Sequence, residues 1–314
     1  MAPKLSIHPP LLNTACPWAT TPEHLESLLQ CPSTGAITTR TSLIEGFPHD
    51  DAIHRYAFFD PASNRAPKTA PSAAAPVGSI NSLGYSPLPL DAYLAALARL
   101  SASLPSVRKT AVVSVAGSPS SVAACYAHIL AASPRISLPL AMEINLGCPN
   151  MPGSPPPAYD PVRLAEYLAA LPEEPRIPVG IKTPPYTHSA QFTALADALA
   201  PYAARISFVT ATNTLGSCVV FGDGGTEALP GAVGGLAGAG IHPLSVGNVR
   251  ILRGVLDERG LAGVHVIGVG GVQDGAGYRR MRSAGAVAVG LATALGAQGV
   301  GVFERIERDV GSEW

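Results

Sequence analysis

The sequence predicts a (β/α)8 barrel with inserted loops at the C-terminal face, and three observations carry that reading. Eight short apolar runs alternate with alanine-rich helical stretches along the 314 residues; such alternation implies parallel strands joined by crossover helices. The runs are almost continuously apolar, as strands buried on both faces are. Charged residues are only 14% of the chain, against ~25% in an ordinary soluble domain, which a closed sheet buried under helices accounts for. An open doubly wound sheet shares the alternation, but eight units favour closure. Residues 1–314 therefore read as one domain.

Taken in order, the first strand is Leu11–Ala15 and the second Gly35–Arg40. The N-terminal Met1-Ala2-Pro3-Lys4-Leu5 lacks the apolar core of a signal peptide. Pro61 to Pro76 is rich in Pro, Ala and Ser without periodicity, and reads as a mobile insertion. The third and fourth strands are Ala111–Ala116 and Leu140–Leu146, with a helix over Asp160–Leu171. Pro178–Lys182 is the fifth strand, Ser189–Tyr202 its helix, and Arg205–Ala211 the sixth strand. The glycine-dense Gly222–Gly240 is either a flexible connector or backbone packed closely on a ligand. A helix over Pro243–Arg259 leads to the seventh strand, Val264–Gly268; a helix over Gly275–Ala284 leads to the eighth, Ala286–Leu291.

Two uncharged stretches, Thr110–Pro134 and Ser283–Phe303, are long enough to cross a bilayer. The first is broken by Gly117-Ser118-Pro119-Ser120-Ser121 and the second by repeated glycine, so each reads as strand, turn and helix start. No membrane span is expected. A net charge of −1 supplies no basic footprint for nucleic acid. Cys16, Cys31, Cys125, Cys148 and Cys218 form no CxxC pair and no metal-like spacing. They read as free thiols of a reducing, cytoplasmic setting, with no metal site.

A barrel carries its chemistry where strands end, at the C-terminal face. The fourth strand runs into Glu143-Ile144-Asn145-Leu146-Gly147-Cys148-Pro149-Asn150, the fifth ends in Lys182, and the sixth is followed by Thr212-Asn213-Thr214. Arg40 ends the second, and Asn81 lies in Ser79-Ile80-Asn81-Ser82-Leu83-Gly84. Lys182 is one of only four lysines, and a buried lysine requires a polar or charged partner. One asparagine is an ordinary turn residue; Asn81, Asn145, Asn150 and Asn213 together suit a flat, amide-rich ligand, each offering donor and acceptor. Val269-Gly270-Gly271-Val272 and Leu291-Ala292-Thr293 follow the last two strands, where barrels often bind phosphate.

These residues resemble the dihydroorotate dehydrogenase family, in its soluble, cysteine-base, fumarate-using class. The motifs are GSINSLG (78–84), EINLGCPNMPG (143–153), VGIKTPPY (179–186), TATNTLG (210–216), GIHP with NVR (240–250) and GVGG (268–271), in a register from about Leu11 to Ile306. The resemblance implies FMN as cofactor, dihydroorotate as substrate in pyrimidine biosynthesis, fumarate as acceptor and a homodimer. It makes Cys148 the general base at C5, with hydride leaving C6 for flavin N5. Arg40, Asn81, Leu83, Gly84, Asn145, Asn150, Asn213 and Thr214 are then expected around substrate. Ala15, Arg40, Ser114, Asn145, Lys182, Gly238, Gly270, Gly271, Ala292 and Thr293 are expected around FMN. A cysteine base works through its thiolate, which a cationic neighbour or mildly alkaline pH promotes.

The chain departs from the family pattern at four positions. Arg40 replaces a lysine, Gly147 a serine beside the base, Ala292 a glycine, and Ser154 a lysine of the active-site loop. Arginine and lysine are not interchangeable at a close contact. Two other functions stay open on these grounds: an FMN-dependent paralogue acting on another cyclic amide or enone, and a flavin-binding barrel without turnover.

Overall fold

The computed structural model describes residues 2–66, 77–151, 153 and 155–314. Eight parallel strands close into a barrel: β1 (Leu11–Asn13), β2 (Ala36–Thr38), β6 (Thr110–Val115), β7 (Leu140–Asn145), β8 (Val179–Lys182), β9 (Phe208–Ala211), β13 (His265–Val269) and β14 (Ala288–Leu291). All eight fall within or one residue beyond the expected runs, and the ring closes through β1 against β14, pairing Leu11 with Val289. The rival open sheet is thereby excluded. Side chains such as Leu11, Ile37, Val113, Ile144, Val209 and Val289 pack outward under the helices in one continuous core.

The helices are α1 (Pro22–Gln30), α2 (Leu90–Ser103), α3 (Pro119–Ala132), α4 (Pro161–Ala169), α5 (Ser189–Leu199), α6 (His242–Glu258), α7 (Gly275–Ser283), α8 (Thr293–Gln298) and α9 (Gly301–Val310). Their starts are written locally. Thr21, Ser118 and Asp160 each cap a helix whose first residue is proline, and Asp274 accepts from Gly277 N at 2.7 Å. Such caps satisfy amides that have no partner within the helix. The helix expected to reach Tyr202 stops at Leu199 and becomes a 3-10 turn at Pro201, which has no N–H to continue it.

Two connections at the C-terminal ends of strands hold structure of their own. After β2 come β3 (Tyr56–Phe59), β4 (Arg65–Ala66) and β5 (Gly78–Asn81); after β9 come β10 (Leu215–Val219), β11 (Phe221–Gly222) and β12 (Val233–Gly238). They form an antiparallel sheet in the order β10-β12-β5-β3, and β4 pairs with β11. Gly222–Gly240 is therefore not a loose connector: Val233–Gly238 within it is a strand, with Gly235 opposite Asn81. Most of the expected insertion over 61–76 lies outside the described residues; its first part carries β4, bound to Phe221 and Gly222. No helix among the described residues is long and apolar enough to cross a membrane.

Candidate active site

The strand ends and the added sheet enclose two adjoining cavities. The first, of about 80 Å³, is lined by Thr14, Ala15, Lys182, Gly238, Gly270, Gly271, Ala292 and Thr293 among others. The second, of about 110 Å³, is lined by Cys148, Arg40, Asn81, Leu83, Gly84, Asn145, Asn150, Asn213 and Thr214, and shares Ala15, Lys182, Ala292 and Thr293 with the first. The residues read from strand ends thus converge on one continuous space, with a single exception. Ser114 is fully buried beneath it, where its hydroxyl donates to Glu143 Oε1 at 3.0 Å and pairs with Thr41 Oγ1 at 2.9 Å.

Glu143 forms the floor. Its other oxygen accepts from Thr210 Oγ1 at 2.7 Å, so both are satisfied inside the barrel. Above it the amides brace one another. Asn213 Nδ2 donates to Asn145 Oδ1 at 2.9 Å, and Asn145 Nδ2 donates to Thr41 Oγ1 at 3.0 Å. Asn150 Nδ2 donates to Asn81 Oδ1 and to Leu83 O, both at 2.9 Å, while Asn81 Nδ2 donates to Gly235 O at 3.1 Å. The bracing fixes rotamers, so the amide positions are set before a ligand arrives.

Two cations face this space. Lys182 is 5% exposed and Arg40 9%, and neither has a carboxylate partner among the described residues. Lys182 Nζ donates to Thr14 Oγ1 at 3.1 Å; Arg40 Nη2 donates to Tyr85 O at 3.2 Å and reaches Gly84 O at 3.4 Å. Burial pulls the Arg40 pKa down. Buried charge without a counter-charge is costly, so the pair suits an anionic occupant. The longer arginine reaches the 84–85 backbone, which fastens the segment after β5.

Burial pushes the Cys148 thiol up, opposed by a hydrogen bond from the Asn150 backbone and by the positive charge of Lys182. Gly147 before it is required by space: a Cβ there would lie 2.5 Å from Pro184 N and 2.6 Å from Thr183 C. Serine at this position has no room against the β8 turn. At the other end, Gly271 has φ +72°, and a Cβ on it would meet Gly238 O at 2.6 Å. Part of the first cavity's wall, at Gly238, Gly270 and Gly271, is thus backbone with no room for a side chain, beside a buried lysine. That wall fits a flat group carrying an anionic phosphate, as FMN does.

Several lining residues were not anticipated. Thr14 and Thr41 follow or precede expected positions by one residue, and adjacency on a strand end is their signal. Cys16, whose thiol burial pushes up to about 12, sits in the second cavity with Trp18 and Tyr56. Trp18 stacks on Phe58 and meets Tyr56 edge-on, with centroids at 5.6 and 5.2 Å. That cluster depends on β3, which shows no clear sequence signal. Ser79 Oγ pairs with Thr293 Oγ1 at 2.8 Å and ties the added sheet to the barrel. Ser154, the fourth departure, lies outside the described residues.

A family model described as dihydroorotate dehydrogenase matches residues 62–313. Among curated proteins, the chain is 32% identical over 242 residues to a protein of Trypanosoma cruzi (strain CL Brener) named dihydroorotate dehydrogenase (fumarate), covering 76% of this chain and 73% of the relative. Proteins of the same name from Kluyveromyces lactis and Trypanosoma brucei brucei are each 30% identical over 239 residues. Each alignment covers 75% of this chain, with 72% and 73% of the respective relatives.

Proposed function

Because the chain belongs to the dihydroorotate dehydrogenase family, we propose that it oxidises (S)-dihydroorotate to orotate in pyrimidine biosynthesis, with FMN as cofactor and fumarate as electron acceptor. One observation carries the reading: a thiol, four braced amides and two buried cations, without carboxylate partners among the described residues, meet in one cavity. When bound, FMN supplies the two-electron acceptor for the hydride that leaves C6. Cys148, as thiolate, takes the C5 proton. Asn81, Asn145, Asn150, Asn213 and Thr214, with the Leu83–Gly84 backbone, hold the ring and its carboxylate. Lys182, Ala15, Gly238, Gly270, Gly271, Ala292 and Thr293 hold the cofactor, and Arg40 offers its charge to both ligands from the second cavity. Ser114 belongs to the supporting layer, through Glu143 and Thr41.

Anaerobic addition of dihydroorotate to the yellow protein is expected to bleach it, and fumarate to restore the colour faster than NAD+ or a quinone. Bound flavin that dihydroorotate never bleaches refutes the substrate. Restoration by a quinone alone refutes the acceptor.

The same reading includes a homodimer and a cytoplasmic setting, both resting on the family resemblance. Val219, Phe221 and Val233 support the dimer: all are exposed, and Val219 pairs directly with Val233 across β10 and β12. Contiguous exposed apolar side chains of this kind mark association surfaces. Light scattering is expected to give twice the chain mass, and Val233→Asp to give the monomer. A wild-type monomer at micromolar concentration refutes the dimer.

A further inference from the structure

The histidine of Gly240-Ile241-His242-Pro243 stands directly behind the glycine turn that follows β13. His242 is the first residue of α6 and is 9% exposed. Its Nδ1 lies 2.7 Å from Gly270 O, and Arg280 Nε on α7 lies 2.9 Å from its Nε2. A carbonyl only accepts and a guanidinium only donates, so the two contacts together fix one ring form. Nδ1 carries the hydrogen and donates to Gly270 O, while Nε2 is bare and accepts from Arg280. The ring is therefore neutral, and burial, which lowers its pKa, keeps it so. Gly270 O and Gly271 N belong to one planar trans peptide, in which carbonyl and N–H point opposite ways. With the carbonyl turned onto His242, the Gly271 N–H is turned away from it. That N–H has no hydrogen-bond partner among the described residues, and Gly271 lines the first cavity whereas His242 does not.

We propose that His242, oriented by Arg280, is a positioning residue for the cofactor: it holds the Gly270–Gly271 peptide so that its N–H donates to the phosphate in the first cavity. The proposal rests on that cavity as the seat of the FMN phosphate. Close packing is what makes such a restraint necessary. A Cβ on Gly270 would meet Ser245 Cβ at 2.6 Å and one on Gly271 would meet His242 Cβ at 2.6 Å, so both positions need glycine. Both also sit at positive φ, +135° and +72°, and glycine leaves that backbone with more conformations than any other residue would. The imidazole removes this freedom from behind, and a donor set in advance loses less entropy when its acceptor arrives. Charge is not the means, because the ring is neutral; Lys182 supplies the cation of this cavity. The charged groups acting on His242 are Arg280 and Asp274, the cap of α7. Gly238, Ile241 and Ser245, which pack on the same turn, carry none.

The test titrates the full chain, stripped of flavin, with FMN and with riboflavin, which lacks the phosphate, and reads both affinities by fluorescence. His242→Asn keeps an N–H donor where Nδ1 stands and so keeps the grip on Gly270. His242→Gln carries its amide one methylene further, to where Nε2 stands, and releases Gly270. The Gln variant is expected to lose about 3- to 10-fold in affinity for FMN, the range of one hydrogen bond, with riboflavin affinity unchanged. The Asn variant is expected to keep the wild-type preference for FMN. An unchanged preference in His242→Gln overturns the proposal, as does an equal loss for both flavins, which a merely structural role would give. Should the Gln variant not fold, the wild-type chain labelled with 15N at histidine carries the test. A phosphate that accepts from Gly271 N–H polarises the carbonyl of the same peptide. FMN is then expected to shift the His242 Nδ1 signal and riboflavin to leave it; equal behaviour with the two overturns the proposal. Failure of the cofactor site itself is distinguishable, because the wild-type chain then shows no preference for FMN over riboflavin.

Discussion

Replacing Cys148 by alanine is expected to slow bleaching of the flavin by dihydroorotate about 10²- to 10⁴-fold, the range that a positioned general base contributes. Cofactor binding should be spared, because Cys148 lines the second cavity and not the first. The wild-type rate should also depend on pH in a defined direction. Burial raises the thiol above its ordinary value, so at neutral pH most molecules carry S–H and only the minor thiolate can act. The thiolate fraction grows about tenfold per pH unit until the raised pKa is reached. Bleaching should therefore accelerate from pH 7 into the alkaline range, and in Cys148→Ala that dependence should vanish along with the rate. Stopped-flow absorbance under argon measures both. A variant that binds FMN and is bleached at the wild-type rate removes Cys148 from the chemistry.

The barrel and this site were legible in the sequence for one physical reason. A strand buried on both faces must be apolar along its length, so a polar residue at its end stands out; Asn145, Lys182 and Arg40 are visible for that reason. Depth was less legible. Alternation tells which face a strand residue takes but not how far down the barrel it sits, and Ser114 illustrates the gap. It points inward as expected, one layer too low, onto Glu143.

The antiparallel sheet was the larger omission. Glycine is a poor strand former when judged alone, so Val233–Gly238, half of it glycine, reads as a connector or as backbone close to a ligand, and not as a strand. Packing overrides propensity there. A Cβ at Gly234 would meet Asn81 O at 2.6 Å, and one at Gly235 would meet Thr214 Oγ1 at 2.3 Å. These glycines let the strand press against two substrate-site residues, which only the assembled structure displays. Tyr56–Phe59 was missed for the opposite reason: four residues with Tyr56 exposed give too short an alternation to register.

The most severe loss of cofactor is expected from Lys182→Met, which keeps the stem and deletes the charge. Lys182 borders both cavities and no carboxylate among the described residues neutralises it, so an anionic group must complete it. Truncating one side of a buried charged contact costs about 2–5 kcal/mol, which is about 30-fold to several thousand-fold in affinity for FMN. The fold itself should survive, because the only side-chain partner left behind among the described residues is the Thr14 hydroxyl. Methionine of similar length fills the space, and the desolvation of a buried cation disappears. Removing this charge also removes a force that holds the Cys148 thiol down. Alkylation of Cys148 in the variant should therefore move to higher pH even before flavin is added. Two measurements separate the effects: fluorescence titration of the apoprotein with FMN, and the alkylation midpoint without it. Wild-type FMN affinity in the variant would show that the cofactor's negative charge is met elsewhere. Weakened affinity with an unmoved midpoint would confine Lys182 to the cofactor and leave the thiolate to Asn150 and its own surroundings.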